Sequence, residues 1–347
     1  MNLTIRLLKK DEFIFYSEYL NKFEYASLFS SIKYFKLLKA YLKDQFYILG
    51  AFNEADDIIG VLPFFIKCTA VGSVLNSLPF YGSNGSVLSD SNEAKSLLLE
   101  ELNFFAIKEK CISATIITCP LDKESYIYKN IYDYNYSDER IGQLTSLKDI
   151  NSKEELMDVF HFKTRNTIRK GFKSNVVIDW QCGLEYFDFL KKTHFDNLSL
   201  IGGIPKPDLF FDVLRDNFQY GSDYRIYYCL LDGKPIAALL LLYSNKTVEY
   251  FTPVVVAEYR NLQVLSSIIY SAMIDCLGKY DWWNWGGTWV SQDGVYQFKS
   301  RWGTSDFNYY YYTKIFDKAI ITLPKEFFLK NFPNYYVLPF NVLDNDQ

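Results

Sequence analysis

The chain has 347 residues, a length that predicts two cores, and its 49% apolar and 22% charged residues exclude a disordered polymer. Thirty-seven Lys and Arg face 41 Asp and Glu, a formal charge of −4 that argues against a DNA-coating protein but leaves room for a local basic patch. Six scattered cysteines without a C-x-x-C pair, and only two histidines (His161 and His194), disfavour a disulfide framework, a zinc site and Ser-His-Asp machinery. No apolar leader core opens the chain, and the longest apolar run, Ile236 to Tyr243, is too short to span a bilayer. These features predict a cytoplasmic protein with reduced thiols and no transmembrane segment, and leave peripheral membrane contact open.

In chain order, residues 31–42 carry the spacing of an amphipathic helix. Phe46 to Phe52 and Ile58 to Ile66 then alternate as two strands about the turn Asn53 to Asp57. A glycine-rich loop, Tyr81-Gly-Ser-Asn-Gly85, precedes a helix near 92–109 and a strand from Ile112 to Thr118. Ser152-x-x-Glu155 reads as a capping box opening a helix over 153–173. The second half repeats the grammar. A helix from Asp208 to Phe218 leads to a strand from Tyr224 to Leu231, the hairpin turn Asp232-Gly233 and a return from Pro235 to Tyr243. A strand from Thr247 to Phe251, a loop to Arg260, a helix near 261–278 and a strand from Asp281 to Trp285 follow. Both halves read helix, hairpin, loop, helix, strand, so the expectation is a duplicated unit of about 150 residues. Its domains are placed at 1–150 and 151–322, with an irregular strap over 323–347 that holds Pro324, Pro333 and Pro339.

The helix over 163–173 carries Lys163, Arg165, Arg169, Lys170 and Lys173 with no acid before Asp179. Arg165, Arg169 and Lys173 are spaced i, i+4, i+8 and share one face. Such a face suits a phosphate-bearing donor such as a coenzyme A or a tRNA end; a solvated charged face is the plainer account. The loop from Gly82 to Gly85, with Asn84 and a stacking Tyr81, could seat an acceptor sugar or diphosphate, or be an ordinary loop before a helix. No P-loop, dinucleotide fingerprint or metal motif is present.

Near the end lies Tyr280-Asp-Trp-Trp-Asn-Trp-Gly-Gly-Thr-Trp289, followed by Tyr296-x-Phe298-Lys299-x-x-Trp302-Gly303. This pattern resembles the C-terminal signature of the FemAB-like group, tandem-GNAT acyltransferases that include the Fem aminoacyl transferases of peptidoglycan. Ser77-Leu-Pro-Phe-Tyr-Gly-Ser-Asn-Gly85 is similar to the group's glycine-rich segment. The resemblance covers roughly residues 30 to 312. It implies an α/β (α+β) fold: two tandem GNAT-like domains, each a mixed, largely antiparallel sheet flanked by helices.

By that resemblance, Phe298 and Lys299 lie beside the reacting acyl group, where an ammonium would stabilise charge developing in a tetrahedral transition state. Glu249 stands on a strand where GNAT enzymes place a general base. Trp285 and Tyr296 fall on the acceptor side. The GNAT pyrophosphate cradle Q/R-x-x-G-x-G/A is matched by Arg260-Asn261-Leu262-Gln263-Val264-Leu265, giving Arg260, Asn261 and Gln263 as donor contacts. Side chains at the two glycine positions, Gln263 and Leu265, would crowd a phosphate. The implied activity is bacterial N-acyl transfer, by direct attack, from an acyl-CoA to a primary amine of an amino sugar or other cell-envelope precursor, as in polysaccharide biosynthesis. Two alternatives stand beside it: a Fem-like aminoacyl-tRNA-dependent transferase acting on a peptidoglycan precursor, and a non-catalytic glycan- or protein-binding module on a degenerate GNAT pair. No bound cofactor or metal is expected; the acyl-CoA or aminoacyl-tRNA is a co-substrate.

Overall fold

The computed structural model describes residues 2–80, 85–122, 127–288, 292–339 and 342. Its two compact units are Met1–Ile141 with Asn308–Gln347, and Gly142–Phe307. The units interleave in sequence, where the reading of the sequence placed a break at 150 and a separate strap from 323.

The elements run β1 (Thr4–Leu7), α1 (Phe13–Leu20), α2 (Ile32–Leu42), β2 (Gln45–Phe52), β3 (Ile58–Thr69), β4 (Gly72–Asn76), α3 (Asn92–Lys108), β5 (Cys111–Ile117), α4 (Tyr128–Ile131) and β6 (Tyr136–Ser146). They continue as α5 (Lys153–Val159), α6 (Phe162–Phe172), β7 (Val177–Asp179), α7 (Phe187–Ser199), α8 (Asp208–Asn217), β8 (Tyr224–Leu231), β9 (Lys234–Ser244) and β10 (Thr247–Val255). The chain ends with α9 (Val264–Cys276), β11 (Trp282–Thr288), α10 (Asp293–Ser300), β12 (Ser305–Ile315) and α11 (Lys325–Asn331).

The duplicated grammar is real. In the first unit β1, β2, β3 and β4 join antiparallel in turn, and β4 then pairs parallel with β5. In the second, β7, β8, β9 and β10 do the same, and β10 pairs parallel with β11. Parallel neighbours need a crossover, supplied by α3 in one unit and α9 in the other. Both hairpins turn where the residues demand it. Asn53 Oδ1 accepts from the backbone of Ala55 (3.0 Å) and Asp57 (2.8 Å), and Asp232 and Gly233 take φ of 51° and 76°, as a two-residue turn between twisted strands requires. Within each unit the strands are mixed in direction, largely antiparallel and flanked by helices.

Three elements differ from expectation. The helix over 153–173 is two helices. Ser152 caps α5 by accepting from Glu155 N (3.1 Å), but Phe160 is extended, with ψ of 147°. Tertiary packing breaks the helix there: Phe160 meets Trp302 edge to face at 5.0 Å, His161 N donates to Arg301 O (3.0 Å), and Gly303 lies so near that a Cβ would stand 2.2 Å from Val159 Cγ1. The helix after Arg260 begins at Val264 because Ala257–Leu262 coil as a 3₁₀ turn and Gln263 is left-handed, φ 62°. The tail is not irregular. It contains α11, and Phe328, Phe332, Val337 and Leu338 complete a core with Val74 and Ile112, which makes the tail part of the first unit.

The core of the second unit packs Ile268, Ile269 and Met273 of α9 against Leu239 and Leu241 of β9 and against Trp283, Trp285 and Trp302. Trp302 is 1% exposed and lies within 6.4 Å, centroid to centroid, of Phe160, Trp285 and Phe298. Trp302→Ala is expected to destabilise the fold by about 3–5 kcal/mol, read as a lower denaturant midpoint.

Candidate active site

The site begins with a fault among the strands of the second unit. β10 and β11 pair over Thr247–Glu249 and Trp282–Asn284 and then part, while β10 stays paired with β9 as far as Val255. The β9 register shifts between Tyr250 and Thr252, a bulge that bends β10 away. A cavity of about 280 Å³ opens there. Pro253, Val254 and Val255 of β10, Gln263, the first residues of α9 (Val264, Leu265 and Ser266), Phe298, Arg260 and Asn197 line it.

A hydrogen-bonded spine runs from the last paired residue of β10 to α10. Asn284 Nδ2 donates to Glu249 Oε2 (2.8 Å), and Asn284 Oδ1 accepts from Gly286 N (2.8 Å). Lys299 Nζ donates to the carbonyls of Gly286 (3.2 Å) and Gly287 (3.0 Å) and to Thr288 Oγ1 (2.8 Å). Thr288 in turn donates to Gln143 Oε1 (3.0 Å). An ammonium has three hydrogens, and all three are matched. Lys299 in this conformation braces the end of β11 instead of presenting a free N–H to an acyl oxygen.

Both ionisable ends are buried. Burial pushes the Glu249 carboxyl up to about 8, against a smaller downward pull from the Asn284 amide, and pushes the Lys299 ammonium down to about 8. Glu249 Oε1 has no hydrogen-bond partner among the described residues. Thr252 Oγ1, on the same strand, is equally unpartnered.

The residues expected to contact a donor are not all placed alike. Arg260 is exposed at the cavity rim; its Nη2 donates to Asn197 Oδ1 (2.8 Å), and Asn197 Nδ2 donates to Val255 O (3.1 Å). Gln263 holds the left-handed backbone that glycine favours, and its amide folds back onto Arg260 O (3.0 Å). Asn261 is exposed and does not line the cavity. Of the basic residues on α6, Arg165 pairs with Asp158 (3.6 Å) and Arg169 Nη1 reaches Asn166 Oδ1 (3.4 Å), while Lys170 and Lys173 are exposed. α6 is clamped on α9. Ser267 Oγ donates to Ile168 O (3.0 Å), and a Cβ on Gly171 would stand 2.1 Å from Ser267 Oγ and 2.9 Å from Gln263 O. The basic end of α6 therefore stands beside the first turn of α9.

On the remaining side, Phe298 is 39% exposed at the cavity and rests edge to face on Trp285 at 6.0 Å. Trp285, expected to face an acceptor, is a buried wall whose Nε1 donates to Thr145 Oγ1 (2.9 Å). Tyr296 is half-buried and donates to Asp306 Oδ2 (2.6 Å). Tyr81, Gly82, Asn84 and Trp289 lie outside the described residues. Gly85 is buried in the first unit, donates to Ile117 O (2.9 Å), and is kept small by Ser77 Oγ, which a Cβ would meet at 2.6 Å. The sequence reading missed Asn284, Thr288, Gln143 and Asn197. The first two sit inside the aromatic and glycine signature, but nothing local marks Gln143 or Asn197.

A scan against protein-family models finds no match, and a search of curated proteins finds none either. Solved structures do match. FemX is similar at a TM-score of 0.72 and 13% identity, over 92% of this chain and 98% of that one. The C-terminal domain of a putative lysylphosphatidylglycerol synthetase from Agrobacterium fabrum matches at 0.56 and 12% identity, over 94% and 99%. A tandem GNAT protein from the clavulanic acid biosynthesis pathway matches at 0.50 and 9% identity, over 90% and 98%. The chain thus has the FemAB-like, tandem-GNAT fold. Among the described residues no helix is long and apolar enough to cross a membrane.

The buried carboxyl gives stability a signed dependence on pH. Glu249 titrates near 4.5 when unfolded and near 8 when folded, so its neutral form favours the fold below 4.5 and that contribution is lost as pH rises to about 8. Glu249→Gln is expected to flatten this slope. Its stability relative to the natural chain should climb by at most about 1.4 kcal/mol per pH unit in that window and level off above it, as measured by urea unfolding at a series of pH values.

Proposed function

We propose that the chain transfers an acyl group from an acyl-CoA to the primary amine of an amino sugar or another cell-envelope precursor, with the chemistry in the second unit. The observation that carries this reading is the opened β10–β11 pair. It presents a cavity, the first turn of a thirteen-residue helix and a buried carboxyl with a bare oxygen along one strand. The N–H groups of Val264 and Leu265, at the positive end of α9, suit a donor phosphate, with Arg260 and the α6 lysines beside them. Apolar Pro253, Val254 and Phe298 suit the acyl arm.

The amine nitrogen attacks the thioester carbonyl, forming the C–N bond. Collapse of the tetrahedral adduct breaks the C–S bond, and the coenzyme leaves as a thiolate that becomes the free thiol by recovering the proton lost from the amine. The surplus amine proton passes to ionised Glu249, directly or across one water. Lys299 acts through position and charge: it holds the Gly286 and Gly287 carbonyls and the Thr288 hydroxyl in place and sets a fixed cation near the developing oxyanion. An aminoacyl ester of tRNA would react in the same way with a C–O bond breaking. The exposed Lys170 and Lys173, outside the cavity lining, favour a polyanion of that size as the second reading.

Isothermal titration with acyl-CoAs and with charged tRNA separates the two donors, and thiol release on adding an amino sugar reports turnover. No binding of either donor would sink the proposal. Glu249 must be ionised and Lys299 charged, so activity should rise toward pH 8 and fall beyond it. Glu249→Gln should remove the rising limb with a loss of roughly 10²–10⁴-fold in kcat. Lys299→Met should lower kcat about 10²–10³-fold with donor Kd little changed, and Lys299→Arg should not restore it, because a planar fork does not fit three converging acceptors.

A further inference from the structure

The loop between α7 and α8 leaves three aliphatic side chains in solvent. Leu200 is 70% exposed, Ile201 72% and Ile204 86%. The loop is built to hold them there. Leu198 O accepts from Ile201 N (3.1 Å) and Gly203 N (2.9 Å), Gly202 turns the chain at φ 67°, and Lys206 N closes the base on His194 Nε2 (3.0 Å). The result is an ordered apolar tip rather than a groove.

Cations surround the base of this tip. Arg260 is tied to Asn197, in the last turn of α7, and Gln263 is tied to Arg260 O. The backbone of Gly171 lies against Gln263 O, which brings in the basic end of α6, where Arg169, Lys170 and Lys173 are exposed around Phe172, itself 46% exposed. Exposed acids nearby include Asp196, Asp208 and Glu258, fewer than the four cations.

We infer that this rim docks on an anionic lipid bilayer, with Leu200, Ile201 and Ile204 entering the boundary between headgroups and acyl chains while Arg260 and the α6 cations face lipid phosphates. A convex aliphatic point offers a protein partner no pocket. A bilayer takes such a point without shape complementarity, and the pairing of a few apolar side chains with a basic patch is the two-part signal that holds a protein at that surface. The inference is independent of the proposed reaction.

The test is cosedimentation of the full chain with vesicles of phosphatidylcholine alone and of an equimolar mixture with phosphatidylglycerol. The chain is expected to bind the mixed vesicles, to bind phosphatidylcholine at least roughly tenfold more weakly, and to be released by salt. Ile201→Asp with Ile204→Asp should weaken binding about tenfold or more while leaving the circular dichroism spectrum and melting temperature unchanged, because both side chains lie in solvent. Lys170→Glu with Lys173→Glu should weaken binding and reduce its salt dependence. No binding to the mixed vesicles at low salt, or binding indifferent to the loop substitutions, overturns the proposal. Concentration-dependent self-association lost in the loop variant, without vesicle binding, also overturns it and assigns the tip to a protein interface.

Discussion

Two parallel strands that part inside a protein leave backbone groups without a ladder, and buried groups of that kind must find partners. The second unit depends on how this is solved. Beyond Glu249, β11 loses β10. Its Gly286 N–H is taken by the Asn284 side chain, and the Gly286 and Gly287 carbonyls are taken by the Lys299 ammonium. A lysine brought in by α10 thus does the work of a missing strand. The cavity is lined by β10, the first turn of α9 and Phe298, the residue beside Lys299 in the chain.

The first unit shows what happens without that solution. Asn76 and Thr115 end the parallel pairing of β4 and β5, as Glu249 and Asn284 end that of β10 and β11. There the chain stays on β5. Ser77 N donates to Thr115 O, Ser77 Oγ accepts from Ile117 N, and Gly85 N donates to Ile117 O. Asn76 is satisfied by the C-terminal tail, giving Nδ2 to Tyr336 O and accepting from Tyr336 N, both at 2.8 Å. A neutral amide with filled partners stands where the second unit has a carboxyl with a bare oxygen. The duplication has kept the path of the chain in both units and left the second strand pair open in only one.

The two buried charges share a cause. Removal from water raises a carboxyl and lowers an ammonium, and here both arrive near 8. Asn284 and the Gly286 peptide between them keep the groups in register without making them a direct ion pair, which would pull both back toward their ordinary values.

Local chemistry settled what local interactions could settle. The alternating apolar runs, the Asn53 turn and the Asp232-Gly233 turn made both hairpins readable, and the repeated order of helix, hairpin, helix and strand made the duplication readable with them, because these depend on neighbours a few residues apart. Tertiary structure decided the rest. The break at Phe160 depends on Trp302 and Gly303, the left-handed Gln263 depends on a turn that no single residue announces, and the tail is ordered by a core whose other half is Val74 and Ile112. Whether Lys299 faces a ligand or braces a strand is set by Gly286, Gly287 and Thr288, and through Thr288 by Gln143 on β6. Burial, hydrogen-bond saturation and pKa are properties of an assembled neighbourhood, so they exist only once residues distant in the chain have met.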